Sequence, residues 1–286
     1  ALIYDQTCAA EKRRRRKRGK MPDPPKRVLI NELVCEGCGD CSVKSNCVSV
    51  EPNETEFGRK RRIDQSSCNK DYSCVQGFCP SFVTVEGATV RKPQAASIGD
   101  DLFADLPDPG RADVSRPLAV LVTGIGGTGV VTIGAVLGMA AHLDGLATSV
   151  FDMTGLAQKG GAVLSHLKFA TRDDELAAPK VGMLEADLLL GCDPVVSASG
   201  EVLRALDAGR SRAVLNTHVV PTAVFQLNPD VDFRARELRA AVEGVIGAGA
   251  VAAFDANRAA LALLGDTLGT NMLVVGYALQ KGWLPV

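Results

Sequence analysis

From residue 117 onward, apolar residues fall into short runs that close on polar ones, with helical patterns between them. LAVLVTG at 118–124 reads as a strand, and GVVTIGAVLGMAAHL at 129–143 as the helix that follows it. ATSVFD, GAVLSHLKFA, ADLLLGCD, AVLNTH and AVAAFDA are further strand-like runs, with helical segments such as EVLRALDAG and ANRAALALLGD between the later ones. Short apolar strands interleaved with helices predict a largely parallel sheet covered on both faces. Polar residues close the strands at Asp152, Asp193, Asn216, His218 and Asp255. Those are the positions at which open α/β sheets bind ligands.

The first 116 residues show no such rhythm. Residues 1–30 combine an apolar ALIYD, the basic run RRRRKR at 13–18 and the Pro-rich MPDPPKR. ALIYD reads as one buried strand without a nearby partner. With Ala at position 1, it leads to the expectation that the chain is a piece of a longer polypeptide. The basic run reads as a solvated linker, with nuclear or nucleic-acid targeting, or docking of an acidic electron-transfer partner, as its other readings. Residues 31–90 are rich in Cys and poor in apolar residues, so they need cross-links or metal to hold together. Residues 91–116 are aperiodic and rich in Pro and Asp, a linker.

Composition narrows this picture only a little. At 46% hydrophobic and 23% charged residues the chain is globular, and a net charge of −1 gives no overall field for nucleic acid. Many glycines (29) with only 5% aromatics favour tight strand–helix turns over a β-sandwich. Residues 117–143 lack any charged residue and contain Gly134-x3-Gly138, a pattern also seen in membrane helices. Gly124, Gly126, Gly127 and Gly129 would break such a helix in its first half. The expectation is no membrane segment, no secretory leader and a cytoplasmic protein.

The cysteines change the picture most. Seven of nine lie between Cys35 and Cys79, as Cys35-x2-Cys38-x2-Cys41-x5-Cys47 and Cys68-x5-Cys74-x4-Cys79-Pro80. Bacterial ferredoxins use C-x2-C-x2-C-x3-C-P twice, and the fourth Cys of each run crosses to the other cluster. Three thiolates three residues apart on a tight loop reach three irons of a cube, and the fourth must come from elsewhere. Cys35, Cys38, Cys41 and Cys79 therefore form one expected [4Fe-4S] ligand set, with Gly37 and Gly39 letting the loop curl. Structural disulfides and a zinc ribbon compete with this reading; the ribbon wants two C-x2-C pairs. Cys47, Cys68 and Cys74 supply three thiolates for a second cluster, and Asp71 stands at the remaining ladder position. Three outcomes stay open there: Asp71 as an iron ligand, a three-iron cluster, or no second cluster and Asp71 as a turn residue. Cys8 and Cys192 read as buried or incidental thiols.

The loop Gly124, Gly126, Gly127, Thr128 and Gly129 follows a strand and opens a helix, matching G-x-G-x-x-G, and Asp152 ends the next strand. That is a dinucleotide fingerprint for NAD or FAD. The same loop also suits an anion at a helix N-terminus, or a turn needed only for close packing. A second Gly-rich piece carries Gln158 and Lys159, which could reach an anionic ligand. His142 and His166 read as packing or surface residues.

CEGCGDCSVKSNC, FGRKRRIDQSSCNKDYSCVQGFCPSF, VTGIGGTGVVTIGAVL and GLAQKGGAVLSHLKF together resemble the large fused indolepyruvate ferredoxin oxidoreductases of bacteria. The resemblance implies a ferredoxin-like α+β iron–sulfur domain followed by a Rossmann-like α/β gamma domain with a mostly parallel sheet. It implies oxidative decarboxylation of an aryl 2-oxo acid to an acyl-CoA with thiamine diphosphate and CoA, and electrons passing through clusters to ferredoxin. Residues 1–30 resemble the tail of the thiamine-binding domain, so the decarboxylating residues are expected on other segments of the enzyme. None is assigned here. A homo-oligomer and a glycine loop that helps complete the 2-oxo acid and CoA site are also implied. The competing class is an iron–sulfur flavoprotein or NAD(P)H-dependent reductase; a regulatory module docking through RRRRKR is a third.

Overall fold

A computed structural model describes residues 3, 5, 7, 9–47, 49–65, 67–88, 103–155, 161–220, 228, 230, 232, 234–265 and 267–286. The chain divides into two compact units, Ala1–Arg91 with Pro221–Phe233, and Lys92–Val220 with Arg234–Val286.

The first unit carries helix α1 (Ala9–Lys17), strand β1 (Lys26–Ile30), helix α2 (Asp40–Ser45), strands β2 (Val50–Thr55) and β3 (Gly58–Ile63), a 3-10 turn at Ser73–Gln76 and strand β4 (Phe82–Glu86). β1 pairs antiparallel with β4, from Lys26 opposite Glu86 to Ile30 opposite Phe82. β2 and β3 form a hairpin of their own. β1 thus falls within residues that the sequence pattern placed before the Cys-rich stretch. Its buried apolar centre is small: Val28, Cys41, Val50 and Ile63, with Ile30, Phe82 and three further cysteines partly buried around it.

Two expectations for residues 1–30 are corrected here. Ile3 is 90% exposed and residues 3, 5 and 7 are in no strand, while the other residues of ALIYD lie outside the described ones. The basic run is a helix rather than a linker. Arg, Lys, Ala and Glu are good helix formers, and Glu11 pairs with Arg14 at 2.7 Å and Arg15 at 3.0 Å, one turn along.

The second unit is one six-stranded sheet. Its strands are β5 (Leu118–Ile125), β6 (Ala147–Thr154), β7 (Ala162–Ala170), β8 (Leu188–Gly191), β9 (Arg212–Asn216) and β10 (Val251–Phe254), in the order β10-β9-β8-β5-β7-β6. All run the same way except β7, which is antiparallel to both neighbours. Only seven residues join β6 to β7. A parallel return needs a crossover of a dozen or more, so this connection forces antiparallel pairing. The expected mostly parallel α/β sheet is present, with this one reversal.

Alternate residues of β5 feed two cores. Leu118, Val120 and Val122 face helix α3 (Val130–Leu143) and the C-terminal helix α8 (Thr270–Gln280). Ala119 and Leu121 face the other layer, with Val196, Val202 and Val242 from helices α4 (Pro194–Ser197), α5 (Gly200–Ala205) and α6 (Ala235–Ile246). Helix α7 (Ala256–Leu264) follows β10. Leu167, Phe169, Leu188 and Leu190 are fully buried in the first core. The Gly134–Gly138 pair serves this packing: a Cβ on Gly134 would collide with Ser165 Oγ, and one on Gly138 would meet Val150 Cγ2 at 2.8 Å. Among the described residues no helix is long and apolar enough to cross a membrane. The end of the expected linker docks on this unit: Ala112 N–H donates to Leu284 O at 2.9 Å, and Arg116 pairs with buried Asp187 at 2.7 Å.

Candidate functional site

The two cysteine loops share one backbone shape. In the first, Cys35 to Cys41, Gly37 and Gly39 hold φ of +74° and +83°. In the second, Cys68 to Cys74, the equivalent residues are Lys70 and Tyr72, at +54° and +60°. The N–H two residues past the leading cysteine donates to its Sγ at 3.4 Å in both, from Gly37 to Cys35 and from Lys70 to Cys68. Gly39 then caps α2, and Tyr72 caps the 3-10 turn. A non-Gly residue at positive φ costs energy and persists only where its surroundings impose it. Two such residues with a single residue between them therefore mark a loop held to a required shape. Asp71 occupies the position of Cys38 in this repeat.

Burial tunes the thiols. It pushes Cys41 up, against the opposing charge of the buried Arg61 guanidinium. It pushes Cys68 up, and it pushes Cys74 up to about 11, with the charges of Cys47 and Cys68 adding to the effect. As metal-free groups they hold their protons, and a bound cation would displace them. The seven cysteines from Cys35 to Cys79 are all free. Cys41, Cys47, Cys68 and Cys74 gather around the small apolar centre, whereas Cys38 is exposed. Cys79 is half-buried, with Sγ 2.9 Å from Ser81 Oγ. Asp71 is exposed, and its Oδ1 accepts from Ser73 N–H at 3.2 Å and from Ser73 Oγ at 3.0 Å. Among the described residues no three His, Cys, Asp or Glu side chains converge on the position of one metal ion. A cubane spreads its ligands over four corners. Free thiols, curled loops and N–H groups aimed at sulfur are the donor chemistry such a cluster uses.

Lysines and arginines surround the second loop. Arg13 Nη1 donates to Ser67 O and Arg16 Nη1 to Asn69 O, both at 2.5 Å, on either side of Cys68. Lys70, buried, pairs with Asp23, and Lys26 lies over the Tyr72 ring, 5.3 Å from its centroid.

In the α/β unit the strand order reverses between β5 and β8, so the crevice at their carboxyl ends is the position for a ligand. The glycine loop lies there. Gly127 and Gly129 hold φ of +89° and +98°. Two loop amides are already engaged: Gly126 N–H donates to Gly161 O at 2.8 Å and Thr128 N–H to Ile125 O at 3.2 Å. Gly124 is a packing position, since a Cβ there would meet Val130 Cγ2 at 2.6 Å and Cys192 Cβ at 3.3 Å. Asn271 Nδ2, on α8, donates to Thr128 O at 2.9 Å. That brace joins residues far apart in sequence, and no local motif announces it. Gln158 and Lys159 lie outside the described residues.

Asp152 does not serve this loop as a ribose-binding acid would. β7 lies between β5 and β6, so the strand bearing Asp152 is two strands, about 10 Å, from β5. The other strand-end residues carry structural duties. Asp193 caps α4 through Val196 N–H at 2.9 Å, and Asp255 caps α7 through Arg258 N–H at 2.8 Å. Asn216 Nδ2 donates to Cys192 O at 3.1 Å and Asn257 Oδ1 at 2.9 Å, while its Oδ1 accepts from Ala256 and His218 N–H. Burial pushes the Cys192 thiol up to about 12, which makes it inert. His166 is buried in β7 and His142 is exposed on α3.

Residues 119–286 match the family described as pyruvate ferredoxin/flavodoxin oxidoreductase. The indolepyruvate oxidoreductase subunit IorB of Thermococcus kodakarensis is 27% identical over 173 residues, covering 58% of this chain and 79% of that protein. Its counterpart in Archaeoglobus fulgidus is 30% identical over 165 residues, covering 56% and 74%. The crystal structure of pyruvate oxidoreductase subunit PORC from Thermotoga maritima is 16% identical, covers 60% of this chain and 80% of that one, and gives a TM-score of 0.43.

Proposed function

The chain belongs to the pyruvate ferredoxin/flavodoxin oxidoreductase family, and from that premise we propose that it supplies the electron-relay and gamma parts of an enzyme oxidising an aryl 2-oxo acid of the indolepyruvate type. The overall reaction joins the 2-oxo acid to CoA and releases CO2, one proton and two electrons, which reduce two ferredoxins singly. Residues 31–90 form the ferredoxin-like relay, 117–286 the gamma-like domain, 91–116 the linker, and 1–30 the end of a thiamine-binding domain with its basic extension. Thiamine diphosphate and the decarboxylation belong to the remaining domains of the enzyme. The whole works in the cytoplasm as a homo-oligomer, apart from nucleic acid and membrane.

The observation that carries the relay is the repeated loop. Cys35, Cys38, Cys41 and Cys79 would hold one [4Fe-4S] cluster, and Cys47, Cys68 and Cys74 with Asp71 a second. Bound clusters supply one-electron carriers. The chain's own contribution is N–H groups from Gly37 and Lys70 aimed at sulfur and a buried Arg61 near Cys35 and Cys41. Each offsets thiolate charge and favours the reduced state. In the gamma-like domain, the loop of Gly124, Gly126, Gly127, Thr128 and Gly129 would lie at the anionic end of the 2-oxo acid or CoA, with Gln158 and Lys159 as the further residues assigned to that ligand. The dinucleotide alternative loses its acid, because Asp152 is two strands away from the loop.

Anaerobic iron and labile-sulfide analysis with EPR of the reduced chain tests this reading. About eight irons and two coupled signals are expected. Zinc in place of iron sinks it. About four irons restrict the relay to Cys35, Cys38, Cys41 and Cys79. If Asp71 is a ligand, Asp71→Cys retains iron under oxidation longer than the parent, because thiolate is the less labile donor. Turnover of indolepyruvate and CoA by this chain alone would overturn the assignment of decarboxylation to other domains.

A further inference from the structure

The iron–sulfur reading does not use the basic helix, yet the fold attaches that helix to the second cysteine loop. Residues 11–20 hold eight lysines and arginines against one carboxylate, in a chain whose net charge is −1. So dense a like-charged run repels itself, and α1 has no apolar face to bury. Two features hold it. Glu11 pairs with Arg14 and Arg15 on the helix itself, and Arg13 and Arg16 bond the carbonyls of Ser67 and Asn69, which flank Cys68. With Arg13 and Arg16 turned to the loop, Arg14, Arg15, Lys17, Arg18 and Lys20 remain exposed. Lys26 adds positive charge over Tyr72, while the charge of Lys70 is matched by Asp23. A helix anchored on a cluster loop by one face and cationic on the other carries the pattern of an electrostatic dock at an electron exit.

We propose that α1 is the docking surface for an acidic one-electron carrier protein, and that the Cys68–Cys74 loop is where electrons leave this chain. The inference rests on the cluster reading of that loop. Opposite charge concentrates the partner at the loop and raises its rate of encounter, an effect that salt removes. A cluster held by that loop would give one electron to the oxidised carrier per encounter, so each turnover of the two-electron oxidation would need two encounters. A polyanion such as nucleic acid would be attracted by the same charges, but it would make no use of an anchor beside Cys68.

The test is stopped-flow oxidation of the dithionite-reduced, cluster-loaded chain by an acidic ferredoxin. The parent is compared with the fourfold variant Arg14→Glu, Arg15→Glu, Lys17→Glu and Arg18→Glu. The expected result is a second-order rate on the order of 10- to 1000-fold lower in the variant at low salt. The two proteins should converge as ionic strength rises toward about 0.5 M. Arg172→Glu with Arg236→Glu, exposed cations of the other unit, should leave the rate unchanged. Iron content separates the two ideas: a parent without iron sinks the relay reading, whereas a loaded variant as fast as the parent sinks the dock alone. Equal slowing in the Arg172/Arg236 variant, or a variant that loses binding to a DNA duplex while its ferredoxin rate stays the same, also overturns it. If the fourfold variant fails to load, the parent decides: a rate with ferredoxin that falls with salt, beside a salt-independent rate with a small neutral oxidant, supports the dock, and a flat ferredoxin profile overturns it.

Discussion

The two units reach order by different means. In the α/β unit Val120, Leu167, Phe169, Leu189 and Leu190 are completely buried in two continuous cores, one on each face of the sheet. Burial alone, at roughly 25 cal/mol per Å² of apolar surface, is sufficient to drive such a fold. Among the described residues of the Cys-rich unit the buried apolar ones are Val28, Cys35, Cys41, Val50 and Ile63, and two of its loop residues, Lys70 and Tyr72, hold a conformation that costs energy. So small a centre does not offset the entropy of ordering the chain. The difference teaches that the α/β unit owes its shape to its own side chains, whereas the Cys-rich unit, with so little apolar burial, would need the cluster proposed for its sulfurs to hold its shape.

The largest effect should come from removing iron. Anaerobic chelation is expected to unfold the Cys-rich unit and leave the sheet intact. Limited proteolysis should then yield a resistant fragment that contains the six-stranded sheet, and persistence of the first unit without metal would erase the contrast. Next is Leu167→Ala, expected to destabilise the α/β unit by about 2–5 kcal/mol in urea unfolding with iron content unchanged. A fall in iron would mean that the units are not independent. Gly134→Ala should cost about 1–3 kcal/mol, because the new methyl collides with Ser165 Oγ. The smallest is a pH effect. Burial, with the Lys180 charge second, holds His166 below the ordinary imidazole value of 6.5, and its Nδ1 accepts from Val181 N–H at 3.2 Å. The unfolded chain therefore binds the proton first, so stability is full above about 6.5 and declines as pH falls toward the folded value. Denaturation midpoints at acid and neutral pH should differ more in the parent than in His166→Gln. Equal differences would remove His166 as the source.

Much of this was legible in the sequence, for identifiable reasons. The inner strands β5, β7, β8 and β9 showed as apolar runs because both their faces are covered. The reversal of β7 was legible too, in the seven residues between Thr154 and Ala162, but hydrophobicity alone carries no strand direction. The cysteine ladder showed through its spacing. Its internal repeat did not, because Lys70 and Tyr72 stand where the first loop has Gly37 and Gly39, and shape is preserved while residue type is not. Helix α1 read as a linker because its anchors, Ser67 O and Asn69 O, lie more than fifty residues away. Asp152 misled for the opposite reason: its distance along the chain fitted a fingerprint that the strand order breaks.

The pairing of β1 with β4 has a consequence for how such chains are assembled. Lys26 lies opposite Glu86, so the Cys-rich segment begins and ends within about 5 Å of one point. Ends so close act as a clasp: the ladder shuts the loops between them into one ring, while α1, outside that ring, is tied back to it at Ser67 and Asn69.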